Sequence, residues 1–77
     1  MIVQILGTGC AKCKKLHEAA ARAVADTGVD AQIEKIEDVQ KIVAMGVMMT
    51  PALVIDGVVK STGKLLTPTE IAALLRG

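Results

Sequence analysis

The sequence predicts an α/β fold in which a four-stranded mixed sheet is flanked by helices. Three observations indicate this: a strand–helix–strand pattern in the first half, an Asp-Gly turn between two β-rich runs, and a capped helix near the C-terminal end. The predicted order is β-α-β-α-β-β-α, in which two parallel strands joined by a helix meet an antiparallel hairpin. We expect one domain over residues 1–77, because a chain of this length supports one small core.

The first half of the chain has the pattern of a βαβ unit. Residues 2–6, IVQIL, are mostly apolar and β-branched, as in a buried strand. Residues 10–27 favour a helix that Gly28 ends, and residues 30–36 alternate well enough to predict a second strand, parallel to the first. The apolar face of the helix comprises Leu16, Ala19, Ala20, Ala23 and Val24.

A short second helix is predicted from Asp38 to Ala44 or Met45. Asp38 is the expected N-cap, and Gly46 is the expected stop. Helical spacing predicts that its inward residues are Val39, Ile42 and Val43.

A hairpin and a final helix complete the pattern. The β-rich runs 52–55 and 58–61 flank Asp56-Gly57, which favours a two-residue turn because that turn needs positive φ at both positions. The stretch from Thr67 to Glu70 matches a capping box with Pro68 at the first helical position. We expect a hydrophobic staple between Leu66 and Ile71, and a core-facing side formed by Ile71, Leu74 and Leu75.

Composition argues against several classes of function. The net charge is +1 and there is no Phe, Trp or Tyr, so neither a basic footprint nor stacking platforms for nucleic acid are present. The longest apolar run, residues 42–49, is too short to span a bilayer. The N-terminus lacks the pattern of a signal peptide. We therefore expect a cytoplasmic monomer that binds neither nucleic acid nor membranes.

The only two cysteines, Cys10 and Cys13, are separated by two residues and allow three interpretations. A structural disulfide is disfavoured, because so short a loop constrains the unfolded chain little and the cytosol is reducing. A metal site is the alternative: two thiolates are half of a zinc site and also suit Cu(I). His17 lies one turn beyond Cys13, but it is about 10 Å along a helix axis from Cys10.

The metal interpretation is supported by a similarity to copper chaperones of the heavy-metal-associated family, which carry a CxxC pair in an early loop. Those chaperones usually have Met where this chain has Thr8, and their fold ends on a strand rather than a helix. A CxxC metal-binding protein, or a copper or zinc chaperone, is therefore the second interpretation of the sequence.

Thiol–disulfide exchange is the interpretation that the spacing favours. Cys10 lies where a loop becomes a helix, and the N–H groups and dipole of a helix start stabilise a thiolate. Lys12 and Lys14 add nearby positive charge. Cys13, one turn inside, is expected to be more buried and to resolve the mixed disulfide by attacking the Cys10 sulfur.

The arrangement of motifs over essentially the whole chain resembles the thioredoxin fold. A strand precedes GTGCAKC, a helix follows, and MTP leads into the hairpin. The resemblance is closest to the small redox-active disulfide proteins of bacteria and archaea. It implies that Pro51 is cis and lies against the cysteine pair, and that Thr50 offers backbone groups to a substrate chain. Gly9 and Gly63 are implied as further substrate-binding positions.

The resemblance also implies an activity, that of a protein-disulfide reductase that uses the dithiol of Cys10 and Cys13 and no bound cofactor. Gln4 stands in the strand where thioredoxins keep a buried acid, so proton transfer to Cys13 needs solvent or another group. Residues 61–66, STGKLL, lack the glutathione-holding pattern of glutaredoxins. We therefore expect disulfide-containing target proteins and a dedicated reductase, flavin- and NADPH-dependent, as partners. Met48 and Met49 are candidates for an adaptable apolar rim.

Overall fold

The computed structural model describes residues 1–9 and 11–76 of the chain. In this part of the chain the elements follow the predicted order. They are β1 (Ile2–Leu6), α1 (Ala11–Thr27), β2 (Gln32–Ile36), α2 (Val39–Ala44), β3 (Ala52–Ile55), β4 (Val58–Thr62) and α3 (Pro68–Leu75). None of the helices in residues 1–9 and 11–76 combines the length and the apolar character that a membrane span requires.

The four strands form one mixed sheet in the order β2-β1-β3-β4. Strand β1 pairs parallel with β2 and antiparallel with β3, while β3 and β4 form the hairpin. The pairing of β3 with β4 shifts register between Leu53 and Val54, which is a β-bulge. The predicted four-stranded mixed sheet is confirmed, although β2 begins two residues later than the sequence indicated.

The two faces of the sheet are covered unequally. One face, which we call the two-helix face, packs against α1 and α3 through a cluster that includes Val3, Ile5 and Leu16. The other, which we call the one-helix face, packs against α2 through a smaller cluster that includes Leu6 and Val54. Because side chains alternate along a strand, β1 and β3 contribute to both clusters.

Helix α1 presents the predicted face to the core. Leu16, Ala19, Ala20 and Ala23 are buried, and Val24 is partly buried against the same cluster. The helix ends at Thr27, before Gly28, whose φ is +68°. Cys10, predicted as the first residue of this helix, lies outside the described residues.

Helix α2 corrects one prediction. Asp38 is the N-cap and its carboxylate accepts a 2.9 Å hydrogen bond from the N–H of Gln40, as expected. Of the three residues predicted to face inward, however, only Ile42 is buried, while Val39 is 58% exposed and Val43 is 54% exposed. A helix of six residues makes less than two turns, so it reaches the sheet through a single side chain.

The hairpin turn is the predicted one, with φ values of 49° at Asp56 and 81° at Gly57. Strand β4 extends to Thr62, one residue beyond the prediction. Asp56 also holds the start of β1: its N–H donates to the Ile2 carbonyl at 2.8 Å, and its carboxylate accepts from the Ile2 N–H at 2.7 Å. The hairpin is therefore fixed to the central strand at its tip.

Helix α3 begins with the predicted capping box. The Glu70 N–H donates to the Thr67 hydroxyl at 3.2 Å, and the Thr67 N–H donates to the Glu70 carboxylate at 3.1 Å. Ile71 and Leu75 are buried in the cluster on the two-helix face, while Leu66 and Leu74 pack against it from partly buried positions. This agrees with the predicted staple and core-facing side.

Candidate active site

The end of β1 meets the first turn of α1 at Cys13. Its side chain is 7% exposed, and its sulfur lies against the backbone of Gly7. A Cβ atom placed on Gly7 would overlap the Cys13 Sγ and would lie 3.3 Å from the Cys13 Cβ. The Gly7 N–H donates to the Ile36 carbonyl at 2.9 Å, which extends the pairing of β1 with β2 by one residue. The Cys13 sulfur, which α1 carries, thus packs against the end of β1.

Pro51 lies on another side of the same point. Its Cα is 3.9 Å from the position of a Cβ on Gly7, so it neighbours the Cys13 sulfur. The Pro51 side chain is fully buried, and the Thr50–Pro51 peptide bond is cis, as the resemblance implied. Strand β3 begins directly after Pro51. Two parts of the chain separated by almost forty residues therefore meet at Cys13.

Gly63 lies beside the segment that leads into Pro51. Its N–H donates to the Pro51 carbonyl at 2.8 Å. A Cβ on Gly63 would lie 3.1 Å from Cε and 3.3 Å from Cβ of Met49, so the methionine covers this glycine closely. Gly63 and Thr50, both predicted as substrate-binding positions, are therefore brought together around Pro51.

The surface next to Pro51 is apolar. Met48 is 86% exposed, and Met49 and Thr50 are also exposed. Val47, immediately before them, is in contrast fully buried in the cluster on the one-helix face. The segment is therefore anchored at Val47 and Pro51, while the side chains between them face solvent.

A small pocket of about 70 Å³ opens beside Cys13. It is lined by Ile5, Gly7, Gly9, Cys13, Lys14, Lys35 and Glu37. A water molecule needs a cavity of roughly 10–15 Å³, so the pocket has room for several. Cys13 is buried, but it borders a space that water and three charged side chains reach.

Gly9 lines this pocket, and Cys10 follows it in the sequence. Gly9 is exposed, with φ of +85°, and the position of a Cβ on it lies 4.0 Å from the Glu37 carboxylate. Cys10 lies outside the described residues, so its predicted role stays a prediction. In the sequence it immediately precedes Ala11, the first residue of α1.

Gln4 and His17 take no part in this arrangement. The Gln4 amide donates to the Glu34 carboxylate at 3.2 Å, across the pairing of β1 with β2. Gln4 and Val54 are opposite each other in the sheet, and Val54 belongs to the one-helix face, whereas Cys13 lies on α1. His17 is half-buried on α1. Within residues 1–9 and 11–76, no three His, Cys, Asp or Glu side chains lie close enough to share a metal ion.

Comparison with known proteins decides the family. Residues 1–76 match the family model described as "Thioredoxin domain". The chain belongs to the thioredoxin family. It is 40% identical over 75 residues to a thioredoxin of Methanothermobacter thermautotrophicus, a match that covers 97% of each chain. It is 38% identical over 76 residues to a thioredoxin of Methanocaldococcus jannaschii, a match that covers 99% of this chain and 87% of that protein.

Membership of the thioredoxin family identifies the chain as a thiol–disulfide oxidoreductase. It also gives the observed geometry a context, because Cys13, Pro51 and the exposed methionines lie together at one end of a thioredoxin-like sheet. In residues 1–9 and 11–76 the elements follow the order predicted for the thioredoxin fold, with α3 after the β3–β4 hairpin, and not that of the copper chaperones.

Three residues of this thioredoxin-family site were not predicted from the sequence. Gly7 follows the predicted first strand and contacts Cys13 directly. Lys35 and Glu37 are the other two, and they line the pocket beside Cys13. Lys35 could have been found from strand pairing, because it lies opposite Ile5 near the end of β1. The only sequence signal for Gly7 is its position immediately after an apolar strand.

Proposed function

We propose that the protein reduces disulfide bonds in other proteins, with Cys10 as the attacking thiolate and Cys13 as the resolving thiol. The placement of Cys13 carries the proposal: it is buried in the first turn of α1, next to Pro51 and beside a pocket with room for several water molecules. A thiol buried in this way is shielded from the disulfides of other proteins, and it lies close in sequence to Cys10. Such a thiol is better suited to attack the mixed disulfide within the molecule than to attack the disulfide of a target protein.

Cys10 is the better candidate for the attack on the target disulfide. It precedes the first residue of α1, where unpaired N–H groups and the helix dipole stabilise negative charge. The first turn of α1 contains no acidic residue, and Lys12 and Lys14 are exposed within it. The local charge therefore favours a thiolate at the start of the helix, and a stabilised thiolate is also a good leaving group when the disulfide is reduced again.

The target chain is proposed to bind along Thr50, Pro51, Gly9 and Gly63. Support comes from the adjacency of these residues to Cys13, either through Pro51 or through the pocket. The exposed side chains of Met48 and Met49 extend this surface with flexible apolar groups, which tolerate varied partners. Water in the pocket would exchange protons with Cys13, in place of an acid at Gln4.

The partners and setting follow from the same chemistry. Disulfide-containing proteins are the proposed substrates, and a reductase, flavin- and NADPH-dependent, is the proposed electron donor. No bound cofactor is required, because the two sulfurs themselves carry both electrons. We further propose that the chain acts as a single-domain cytoplasmic monomer.

A matched pair of variants tests the roles of the two cysteines. Cys13→Ser should accumulate a mixed disulfide between Cys10 and a disulfide-bonded model protein, because the second attack is lost. Cys10→Ser should form none, because the buried Cys13 sulfur cannot reach the target. Mass spectrometry of the non-reduced products, with elemental analysis of the wild-type protein, gives the readout. The reverse trapping pattern would exchange the roles. Stoichiometric zinc or copper that blocks alkylation of both thiols would instead support metal binding.

A further inference from the structure

We propose that Gly7 is a positioning residue for thiol exchange, because its missing side chain leaves the space that the Cys13 sulfur occupies. This inference rests on the proposed resolving role of Cys13. It concerns a residue at the end of β1 that forms and breaks no bond.

Space, and not backbone conformation, explains the glycine. The φ angle of Gly7 lies outside the left-handed region, so alanine could adopt the same backbone without strain. An added Cβ would nevertheless overlap the Cys13 Sγ. Gly46 shows the opposite case: its φ is +80°, yet no atom lies within 4 Å of an added Cβ. Gly7 is therefore required by what lies against it.

The strand end cannot easily move away from the sulfur. The Gly7 N–H is fixed to the Ile36 carbonyl, and the preceding residue, Leu6, is fully buried in the one-helix face. Pro51 occupies the neighbouring side, with its Cα 3.9 Å from the added Cβ. A methyl group at position 7 would therefore displace Cys13, either by moving the first turn of α1 or by rotating the sulfur to another χ1 rotamer.

Displacement of the sulfur matters in one step of the reaction. After the first attack, Cys10 is joined to the target by a disulfide. Cys13 loses its proton, and its thiolate attacks the Cys10 sulfur. The Cys10–Cys13 bond forms, the bond to the target breaks, and the target sulfur leaves with the electron pair and takes up a proton. The two thiols of the chain are oxidised by two electrons, and the target disulfide is reduced by two. Only this second attack needs the Cys13 sulfur in line.

Gly7→Ala should therefore slow the second step without slowing the first. A displacement of about 1 Å can cost on the order of a hundredfold in rate, so we expect resolution to slow by at least about tenfold. Formation of the mixed disulfide should stay within about twofold of wild type. The internal disulfide should also become easier to reduce, and each tenfold loss in its equilibrium constant raises the reduction potential by about 30 mV.

The experiment compares the wild type with Gly7→Ala and Gly46→Ala. Gly46→Ala is the matched control: alanine at this positive φ strains the backbone, but its Cβ would have no atom within 4 Å. Rapid acid quenching of a single turnover with a disulfide-bonded model protein gives both rates, and equilibration with a dithiol–disulfide buffer gives the potential. Slower resolution and a raised potential in Gly7→Ala alone would support the proposal. Wild-type resolution and potential in Gly7→Ala would overturn it.

A double-mutant cycle covers the case in which Gly7→Ala folds poorly. Gly7→Ala should lower the urea midpoint much less when Cys13 is already alanine, because the overlapping sulfur is gone. An equal loss in both backgrounds would overturn the proposal. Failure of the proposed function is a separate outcome: Cys13→Ser would then trap no mixed disulfide through Cys10, whatever residue stands at position 7.

Discussion

The two faces of the sheet differ in how firmly they hold the parts of the active site. On the two-helix face, α1 and α3 pack against β1 and β3 and also against each other, and α1 carries Cys13. On the one-helix face, α2 has one buried side chain, Ile42, and the chain then runs through Val47 to Thr50 and Pro51. Cys13 thus lies on the two-helix face, which has the larger core cluster, whereas the segment proposed to bind the target packs on the one-helix face. Regions with few buried contacts open more readily, so we expect the one-helix face to open more readily than the two-helix face.

The largest expected effect tests this difference directly. Leu16→Ala on α1 should lower the free energy of unfolding by about 3–4 kcal/mol, and Ile42→Ala on α2 by about 2 kcal/mol. The two changes delete the same number of carbons from buried side chains, but the surroundings of Ile42 can relax into solvent more easily. Urea denaturation of both variants gives the comparison. An equal or larger loss for Ile42→Ala would remove the difference between the faces.

A second pair of variants separates stability from target binding. Val47→Ala and Val3→Ala each remove two methyl groups from a fully buried valine and should each cost about 2 kcal/mol. Val47 anchors the segment before Pro51, so its variant should also raise KM for a disulfide-bonded protein by about threefold or more. Val3, near the opposite end of β1, should leave KM unchanged. Steady-state reduction assays at a temperature where both variants are folded give the KM values. Equal KM values for the two variants would show that packing on the one-helix face does not affect target binding.

Loss of a helix cap should also destabilise the protein more on the two-helix face than on the one-helix face, but by smaller amounts. Thr67→Ala breaks one of the two reciprocal bonds of the capping box on α3 and should cost about 1 kcal/mol. Asp38→Ala removes the single bond that caps α2 and should cost about 0.5 kcal/mol, because that helix contributes less to the core. Thermal denaturation of both variants measures the difference. A larger loss for Asp38→Ala would mean that α2 supports the fold more than its packing indicates.

The smallest expected effect concerns the exposed valines of α2. Val39→Gln and Val43→Gln should each change the free energy of unfolding by less than about 0.5 kcal/mol, because both side chains already face solvent. Ile42→Gln, on the same helix, is the control and should be strongly destabilising. A loss above about 1 kcal/mol at either valine would show that α2 packs more deeply than described.

The same contrast explains how far the sequence predicted the fold. Helix α1 is 17 residues long, so the spacing of Leu16, Ala20 and Ala23 identified its buried face correctly. The cap of α3 and the Asp56-Gly57 turn were also predicted, because both depend on local hydrogen bonding and backbone angles. In α2 the spacing placed Val39 and Val43 near Ile42, but it could not show how little of the sheet the helix would cover.

The candidate site divides in the same way. The cysteine spacing and the Thr50-Pro51 pair were visible in the sequence, and the thioredoxin resemblance placed them together. The contact between Gly7 and Cys13 was not predictable, because it depends on the distance between a strand end and a helix that the chain brings together only in three dimensions. The pocket residues Lys35 and Glu37 likewise come from a neighbouring strand and the loop that follows it.

The bonds between Asp56 and Ile2 have a consequence at the far end of the same strand. They fix the hairpin to the first residue of β1, while Gly7 lies just beyond its last residue, about 16 Å away for an extended strand. Sliding β1 by one position would reverse which side of the sheet every residue faces and would bring Leu6 or Thr8 beneath the sulfur. The Asp56 carboxylate, at the opposite end of β1 from Cys13, thereby determines which residue of the chain lies against the Cys13 sulfur.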